Sequence, residues 1–339
     1  MKIGRRGGAL AAAGALVLAT TRVSAQGALP SASVVFNDGL SVPIPARPPL
    51  GTGLDRALVL GGGGEFFAAW MLGFMHGLNA GGVPYAAPDI IIGTSAGSFV
   101  GSTIAGGHIT RLTREFDFFG RFPGLMSDLV PVPVPNASQR RAHELCASAS
   151  DASPATIQAI GRGAMAARNP SVTGLQRMIE VLTGNVAWPD PKFHAATMDC
   201  YSGERLIVSA RHGVPVSHAV SASMSLPGIF GPTFVGDRLC MDGGISSTSL
   251  HADVVAGAKR AVVVSLTDGT PGSGPRFSAI PSDPLREMRD LEAAGTRTLL
   301  IAANPGQVNL VSPAEIGPAL RAGHERGLRE ADRVKAFWA

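Results

Sequence analysis

The sequence predicts an α/β fold in three layers (α/β/α), with a mostly parallel central sheet between helices. Short apolar runs typical of buried strands alternate along the chain with segments whose apolar residues recur at helical spacing. Glycine-rich turns separate these segments, and 43 of the 339 residues are glycine. Hydrophobic residues make up 45% of the chain and charged residues 16%, which supplies a large buried core.

The first strands and helices are predicted at the start of the folded domain, which we place at residues 54–339. The apolar run 56–60 predicts a buried strand, and a run of four glycines ends it. A helix is predicted over 65–78, where large apolar side chains recur every three or four residues. A second strand at 89–92 leads into a helix of small residues that ends near position 105.

The segment 107–190 differs in composition from the rest of the domain. Four phenylalanines fall between positions 116 and 122, and the proline-rich run 130–135 excludes a helix there. We interpret the segment as an insert that could act as a lid or cap. The phenylalanine cluster has two open interpretations, an interfacial patch that reaches lipid or core beneath the lid.

The remaining elements continue the alternation of strands and helices, and the chain contains no internal repeat. In chain order, the sequence predicts helices at 154–168 and 171–184, strands at 194–199 and 205–209, a hairpin around 234–240, a helix ending near 258, a strand at 261–266, a loop over 268–282, helices at 283–298 and 313–337, and a last strand at 298–302.

The N-terminus predicts a signal peptide over residues 1–25. A basic start precedes an apolar run over 8–19, and small residues before Gln26 predict cleavage after Ala25. We therefore expect an exported, secreted or periplasmic protein; with a mis-assigned start codon the expectation is cytoplasmic. Residues 26–53 are rich in proline, serine and glycine, and we interpret them as an extended N-terminal arm.

The charge of the chain gives no reason to expect a nucleic-acid partner. The net charge is +4, and the first 25 residues contain four basic side chains and no acidic one. The rest of the chain is therefore neutral, whereas nucleic-acid binding relies on an excess of basic side chains. The three cysteines and eight histidines lack the spacing of metal ligands, so the sequence implies neither a metal nor an organic cofactor.

The sequence Gly93-Thr-Ser95-Ala-Gly97 follows the isoleucine run of the second predicted strand. A serine on a sharp strand-to-helix turn presents its hydroxyl at the end of the strand, and small neighbours prevent clashes. Because the pattern is short, a plain strand–turn–helix joint also fits it. Its position between a strand and a helix favours a nucleophile elbow with Ser95 as the nucleophile.

The glycine run supplies a second candidate element of an active site. A P-loop is excluded because no Gly-Lys-Ser/Thr follows, and the spacing of a dinucleotide-binding turn is not met. A tight turn remains one interpretation. The favoured one is an oxyanion hole, in which the unhindered amides of Gly62, Gly63 and Gly64 face the oxygen that becomes negative.

A serine nucleophile needs a base within hydrogen-bonding distance, and Asp242 is the candidate. It is followed by Gly243 and Gly244, which let the backbone turn sharply. As an isolated motif this is weak, because most Asp-Gly pairs occur in ordinary turns.

Taken in order, these motifs resemble the patatin-like phospholipase family over about residues 56–266. The family's oxyanion glycines, nucleophile elbow and catalytic aspartate correspond to Gly62–Gly64, Gly93–Gly97 and Asp242. The stretches 196–204 and 219–230 also resemble the family's central hairpin and the segment before its aspartate. The resemblance implies a Ser95–Asp242 dyad that hydrolyses acyl esters of lipids through an acyl-serine, with a lipid substrate that could lie at a membrane surface.

Two departures from the family pattern stand beside this resemblance. Glu65-Phe66-Phe67 follow the glycines where the family usually has a cation, and Thr248 and Leu250 replace its usual asparagine and proline. The first departure keeps open an exported lipid-binding protein without turnover.

A Ser-His-Asp esterase of α/β-hydrolase type is the other alternative. Chain order permits His251 or His324 to serve as the third member after Ser95 and the acid. His251 opens the helix predicted to end near 258, so we expect it to cap that helix or to face solvent.

Overall fold

The computed structural model describes residues 49–125, 134–185 and 187–339. The predicted signal peptide, most of the N-terminal arm and most of the proline-rich run lie outside the described residues. Within them the fold is mixed α/β, with a central, mostly parallel sheet, and this part of the prediction is confirmed.

The sheet of the described residues has eight strands. They are β1 (Arg56–Leu60), β2 (Ile90–Thr94), β3 (Phe193–Asp199), β4 (Arg205–Val208), β5 (Thr233–Val235), β6 (Arg238–Asp242), β7 (Arg260–Ser265) and β8 (Arg297–Ala302). Hydrogen-bonded neighbours follow the path β5-β6-β3-β2-β1-β7-β8, and β4 also pairs with β3. Five neighbouring strands, β3, β2, β1, β7 and β8, run parallel. The pairs that contain β4, β5 or β6 are antiparallel.

The helices lie mostly between successive strands. They are α1 (Gly64–Ala80), α2 (Ala96–Ala105), α3 (Ile109–Arg121), α4 (Ala137–Ala147), α5 (Pro154–Ala166), α6 (Val172–Thr183), α7 (Val216–Ser223), α8 (Pro284–Ala293) and α9 (Ile316–Trp338). Short 3₁₀ turns occupy Ala210–His212, Ala252–Val255 and Pro313–Glu315. None of the helices in the described ranges is long and apolar enough to cross a membrane.

Alternate residues of the central strands serve two separate cores. Leu58 and Leu60 of β1 pack with α1, α2 and α9 on one face of the sheet. Ala57 and Val59 pack on the other face with the 3₁₀ turn Ala252–Val255 and with α8. Because side chains alternate along a strand, a parallel strand that is buried on both faces is apolar at successive positions, as β1 is from Ala57 to Leu60.

The register of β3 determines where the ends of two other strands meet. Thr94, the last residue of β2, pairs with Ala196, and Asp242, the last residue of β6, pairs with Thr197. Both β2 and β6 lie on the edge of β3 opposite β4, which pairs with the same β3 residues. The two strands therefore end against each other, although their last residues are far apart in sequence.

One predicted element is wrong. The helix expected to end near residue 258 is replaced by an irregular segment over 243–251 and the single 3₁₀ turn Ala252–Val255. The hydroxyl of Thr248 accepts hydrogen bonds from the backbone amides of Leu250 and His251, so these amides are not available to a helix. His251 is only 1% exposed and does not face solvent, contrary to expectation.

Helices α1 and α9 approach so closely that their backbones touch. A Cβ atom added to Gly73 would lie 2.0 Å from the carbonyl oxygen of Leu320, and one added to Gly323 would lie 2.0 Å from that of Trp70. Gly77 and Gly327 meet the opposite helix in the same way. These glycines allow a contact that no larger residue permits, and they bring α1 against the helix that closes the domain.

We predict that Gly73→Ala lowers the free energy of unfolding, because the added methyl group forces the two helices apart at a cost of about 1–3 kcal/mol or more. Gly174→Ala in α6 is the matched control, since a Cβ atom there meets nothing within 4 Å. Alanine raises helix propensity, so the control is expected to unfold at equal or higher urea concentration. Equal destabilisation of both variants in urea titrations would contradict the role of the α1–α9 contact.

Candidate active site

Ser95 lies between β2 and α2 in a strained backbone conformation. Its φ is 51° and its ψ is −119°, a combination that costs a non-glycine residue about 1–3 kcal/mol. The flanking glycines make the turn sterically feasible. A Cβ atom on Gly97 would lie 2.0 Å from the carbonyl oxygen of Leu60, and one on Gly93 would lie 2.4 Å from that of Gly97. The turn thus has the geometry predicted for a nucleophile elbow.

A second serine fixes the backbone of the elbow. The amide of Ser95 donates to Ser223 Oγ at 2.8 Å, and Ser223 Oγ donates to the carbonyl oxygen of Ala196 at 2.7 Å. Ser223 ends α7 and is fully buried. Sequence reasoning did not assign this residue a role, although it lies in one of the stretches that resembles the family. Only the structure identifies its partner.

The structure brings Ser95 and Asp242 together. Ser95 Oγ donates a hydrogen bond of 2.7 Å to Asp242 Oδ2, and Asp242 Oδ1 accepts the amide of Gly244 at 2.8 Å. Asp242 is 4% exposed, whereas Ser95 is partly accessible. One carboxylate oxygen is therefore fixed by the backbone, and the other is directed at the serine hydroxyl.

Burial changes the acidity of this carboxyl group. Burial raises the pKa of Asp242 to about 6, and the hydrogen bonds from Gly244 and Ser95 oppose the rise because they favour the charged form. A pKa near 6 leaves the group mostly ionised at neutral pH, yet more basic than an exposed aspartate. These are the properties that a general base for a hydroxyl needs.

The glycine run lies beside Ser95. A Cβ atom on Gly62 would lie 3.3 Å from Ser95 Cβ. The Gly62 amide, however, donates to the carbonyl oxygen of Ser249 at 3.0 Å, so it is not free to bind an oxyanion here. Among the described residues no acceptor bonds the amides of Gly63 and Gly64.

Two helices begin at this place. Helix α1 starts at Gly64, and α2 starts at Ala96, the residue after the serine. The first amides of a helix lack acceptors inside the helix and lie at the positive end of its dipole. The two N-termini therefore present free amide groups close to Ser95, where a negative oxygen would be stabilised.

The residues that depart from the family pattern after the glycines lie mainly in the core. Phe66 and Phe67 are buried, and the ring of Phe67 stacks on Trp70 with centroids 5.7 Å apart. Neither aromatic side chain lines the pocket around Ser95. The Glu65 side chain is exposed, although the packing around its carboxyl group raises its pKa to about 7.

A pocket opens above the two candidate residues. It encloses about 750 Å³ of space, part of it open to solvent, and its walls combine apolar and hydroxyl groups. Its apolar wall includes Leu226, Ile245, Phe277, Ile280 and Leu310. Arg276, on the loop between β7 and α8, is exposed and is the one cationic side chain among the described lining residues.

The two histidines considered for a triad are engaged elsewhere. His251 Nε2 lies 2.9 Å from the carbonyl oxygen of Gly243, and its Nδ1 lies 3.3 Å from Arg205 Nη1. Burial, together with the charge of Arg205, lowers the pKa of His251 to about 4. His324 pairs with His76, their Nδ1 atoms 3.1 Å apart. In the described part of the chain no histidine bonds to Ser95 or Asp242, which contact each other directly.

Potential metal ligands are not clustered. The three cysteines are buried and unpaired, and burial raises the pKa of the Cys146 thiol to about 12. Over the described ranges no group of three or more His, Cys, Asp or Glu residues is arranged to hold a metal ion.

Known structures with similarity to this chain include those of two bacterial proteins, VipD and ExoU. The crystal structure of VipD from Legionella pneumophila is 13% identical and covers 82% of this chain and 67% of that one, with a TM-score of 0.39. The type III effector protein ExoU is 16% identical, and the match covers 83% of this chain and 53% of ExoU, with a TM-score of 0.33. The ExoU–SpcU complex from Pseudomonas aeruginosa gives 16% identity, 82% and 52% coverage and a TM-score of 0.33. This chain thus spans about half the length of ExoU. No curated protein gives a significant match.

The family model described as patatin-like phospholipase matches residues 58–254, more than half of the chain. The matched range includes the glycine run, the elbow at Ser95 and the turn that follows Asp242. Such a domain implies lipid ester hydrolase activity in general. The chain belongs to the patatin-like phospholipase family.

Proposed function

We propose that the protein hydrolyses acyl ester bonds of lipids, as a phospholipase A or a related lipid acyl hydrolase, with Ser95 as nucleophile and Asp242 as its base. The observation that carries this proposal is the 2.7 Å hydrogen bond from Ser95 Oγ to a buried carboxylate. No histidine separates the two groups, so the proton has a direct path between them.

In the first half of the reaction, Ser95 Oγ attacks the ester carbonyl carbon while Asp242 takes the hydroxyl proton. The carbonyl oxygen becomes negative, and the free amides at the starts of α1 and α2 stabilise it. When the tetrahedral intermediate collapses, the bond to the alcohol breaks and protonated Asp242 returns the proton to that oxygen. The acyl group remains on Ser95.

In the second half, water attacks the acyl-serine and Asp242 takes a proton from that water. Collapse releases the carboxylic acid, and the proton on Asp242 returns to Ser95 Oγ. No metal or organic cofactor is needed for either half, because the only charge changes are those of the carboxyl group and the transient oxyanion. The apolar wall of the pocket suits the acyl chain of a lipid.

Lipid aggregates, including membranes, are the proposed physical form of the substrate. Helix α3 packs against α1, which starts beside Ser95, and against α9. Near its end Gly120 packs against Gly317, which lies at the start of α9. Phe118 and Phe122 are each 51% exposed there, and their rings contact each other. Exposed, adjoining aromatic rings of this kind favour contact with a lipid surface.

We predict that a fluorophosphonate labels the wild-type protein, that Ser95→Ala abolishes labelling, and that Asp242→Asn reduces it by two orders of magnitude or more, since the base contributes about 10²–10⁴-fold. Asp237→Asn, at an exposed turn, is the matched carboxylate control and should label normally. Hydrolysis of short acyl esters should follow the same order. A protein that only binds lipid would give no adduct, and that result would exclude the proposal.

The pH dependence offers an independent check. Only ionised Asp242 can accept the proton, so kcat/KM should be full above pH 7 and fall as pH drops through about 6. An exposed aspartate would keep activity down to about pH 4. Two other described groups with a thiol or a charge lie near Asp242. The Cys146 thiol interacts electrostatically with the carboxylate, and Arg276 lines the same pocket.

Temperature separates a carboxyl group from a histidine with a similar pKa. Ionisation of a carboxylic acid has almost no enthalpy, whereas that of imidazolium has a large one. We therefore expect the pH at the acidic midpoint of kcat/KM to be the same at about 10 °C and at about 35 °C. A midpoint that moves down on warming would identify a histidine as the base and contradict the dyad.

We further predict that the double change Phe118→Ser and Phe122→Ser lowers the rate on phospholipid vesicles about tenfold or more while leaving soluble short esters unaffected, because each buried aromatic ring contributes roughly 1.5–3 kcal/mol to partitioning. Leu328→Ser is the control: Leu328 is exposed but lies about 18 Å along α9 from its start. Equal losses in both proteins would argue against a specific lipid-facing patch.

A further inference from the structure

A cluster of polar side chains, all of them largely buried except the half-buried Asp253, lies behind the turn that carries Asp242. We call it the buried polar cluster; its members are Arg205, Thr248, His251, Asp253 and Glu287. His251 and Thr248 are each 1% exposed, and the side chain of Arg205 is 5% exposed. Buried polar groups are costly unless they are hydrogen-bonded, so the bonds within this cluster define what it holds in place.

His251 makes the one contact from this cluster to the backbone next to Asp242. Its Nε2 lies 2.9 Å from the carbonyl oxygen of Gly243, the residue directly after the aspartate. Its Nδ1 lies 3.3 Å from Arg205 Nη1, and an arginine can only donate. Nδ1 therefore accepts from Arg205, and the ring proton is on Nε2, which donates to Gly243.

The other members keep the His251 ring and backbone in place. Asp253 binds Arg205 through two hydrogen bonds of 2.7 and 2.9 Å. Thr248 Oγ1 accepts the His251 amide at 3.1 Å, and the Thr248 hydroxyl is bonded to the Glu287 carboxyl group. His251 itself has a φ of 53°, which is strained for a non-glycine residue and persists only where the surrounding contacts hold it.

We propose that His251 is a positioning residue for Asp242, which holds the Gly243 carbonyl so that the turn presents the Gly244 amide to Asp242 Oδ1. This inference rests on the proposed function of Asp242. Two adjacent glycines have no side chains with which to fix their own peptide planes. The Gly243 carbonyl oxygen accepts a hydrogen bond of 3.2 Å from Ser246 Oγ, within the same turn, and the shorter one of 2.9 Å from His251, which ties the turn to the cluster behind it. With Oδ1 held, Oδ2 stays directed at Ser95.

His251 does not act on the substrate in this arrangement. Both ring nitrogens are occupied, and the ring contacts the far side of the Asp242 turn, while Ser95 contacts the carboxylate itself. The distinction matters because loss of His251 would lower activity whether it positions Asp242 or serves as a triad base. A simple change to alanine therefore cannot distinguish the two roles.

The test compares His251→Gln, His251→Asn and His251→Leu with the wild type. Glutamine can place an N–H donor where Nε2 stands, but it cannot transfer protons as a base. Asparagine is too short to reach Gly243 yet tolerates a positive φ well, and leucine has no donor. Glutamine and leucine experience similar backbone strain, so they form a matched pair.

We expect His251→Gln to keep kcat within about threefold of the wild type on a short acyl ester. His251→Asn and His251→Leu should lose on the order of ten- to a hundredfold in kcat with little change in KM, since a misplaced catalytic group costs about this much. Their acidic midpoint should move to higher pH, because Asp242 loses the Gly244 hydrogen bond that favours its charged form. Thermal unfolding establishes that each variant is folded. If His251→Leu does not fold, the comparison of His251→Gln with His251→Asn still distinguishes a positioning role from proton transfer.

Two results would overturn the inference. Inactivity of folded His251→Gln, equal to that of His251→Asn, would make the ring a proton-transfer group. Full activity of folded His251→Asn with an unmoved pH profile would show that the Gly243 bond does not position Asp242. Absence of fluorophosphonate labelling in the wild type is a separate result, because it rejects the proposed function rather than the role of His251.

Discussion

The contact between Ser95 and Asp242 depends on strand β3, because that strand determines where β2 and β6 end. Thr94 and Asp242 pair with adjacent residues on the same edge of β3. The turns that follow β2 and β6 therefore leave the sheet side by side. A shift of β6 by one residue would turn the Asp242 side chain to the opposite face of the sheet. The relevant constraint is thus a strand register, and the hydrogen bond is its consequence.

The two unfavourable features of the site are also the ones that its proposed chemistry uses. The strained backbone of Ser95 lifts Oγ out of the end of the sheet, and the burial of Asp242 raises its pKa toward neutrality. Each feature is maintained by specific bonds: Ser223 holds the Ser95 amide, and the Gly244 amide holds the carboxylate. An isolated strand–turn–helix joint has no such supports, which is why the elbow pattern alone does not specify an active site.

The sequence predicts the elements that rest on local pattern. The apolar run of β1, the helix after the glycines and the elbow at Ser95 all follow from residue spacing and backbone sterics. The sequence also predicts a helix after Asp242, but Thr248 and Glu287 bind amides that a helix would use. Those partners lie on different elements, so no window of sequence reveals them. The role of Ser223 cannot be predicted from sequence for the same reason.

The departure from the family pattern at Glu65 bears on how charge is distributed around the oxyanion. The chain has no cation directly after its glycines, so the positive potential there comes from backbone amides at the starts of α1 and α2. An ionised carboxylate in the first turn of α1 would stabilise the helix but would oppose a negative oxygen at the same amides. The Glu65 side chain is exposed, and the packing around its carboxyl group raises its pKa, which lessens that opposition. In the proposed reaction the two carboxyl groups would therefore differ in effect: Asp242 would need its charge to act as a base, whereas an oxyanion would be best stabilised with Glu65 neutral.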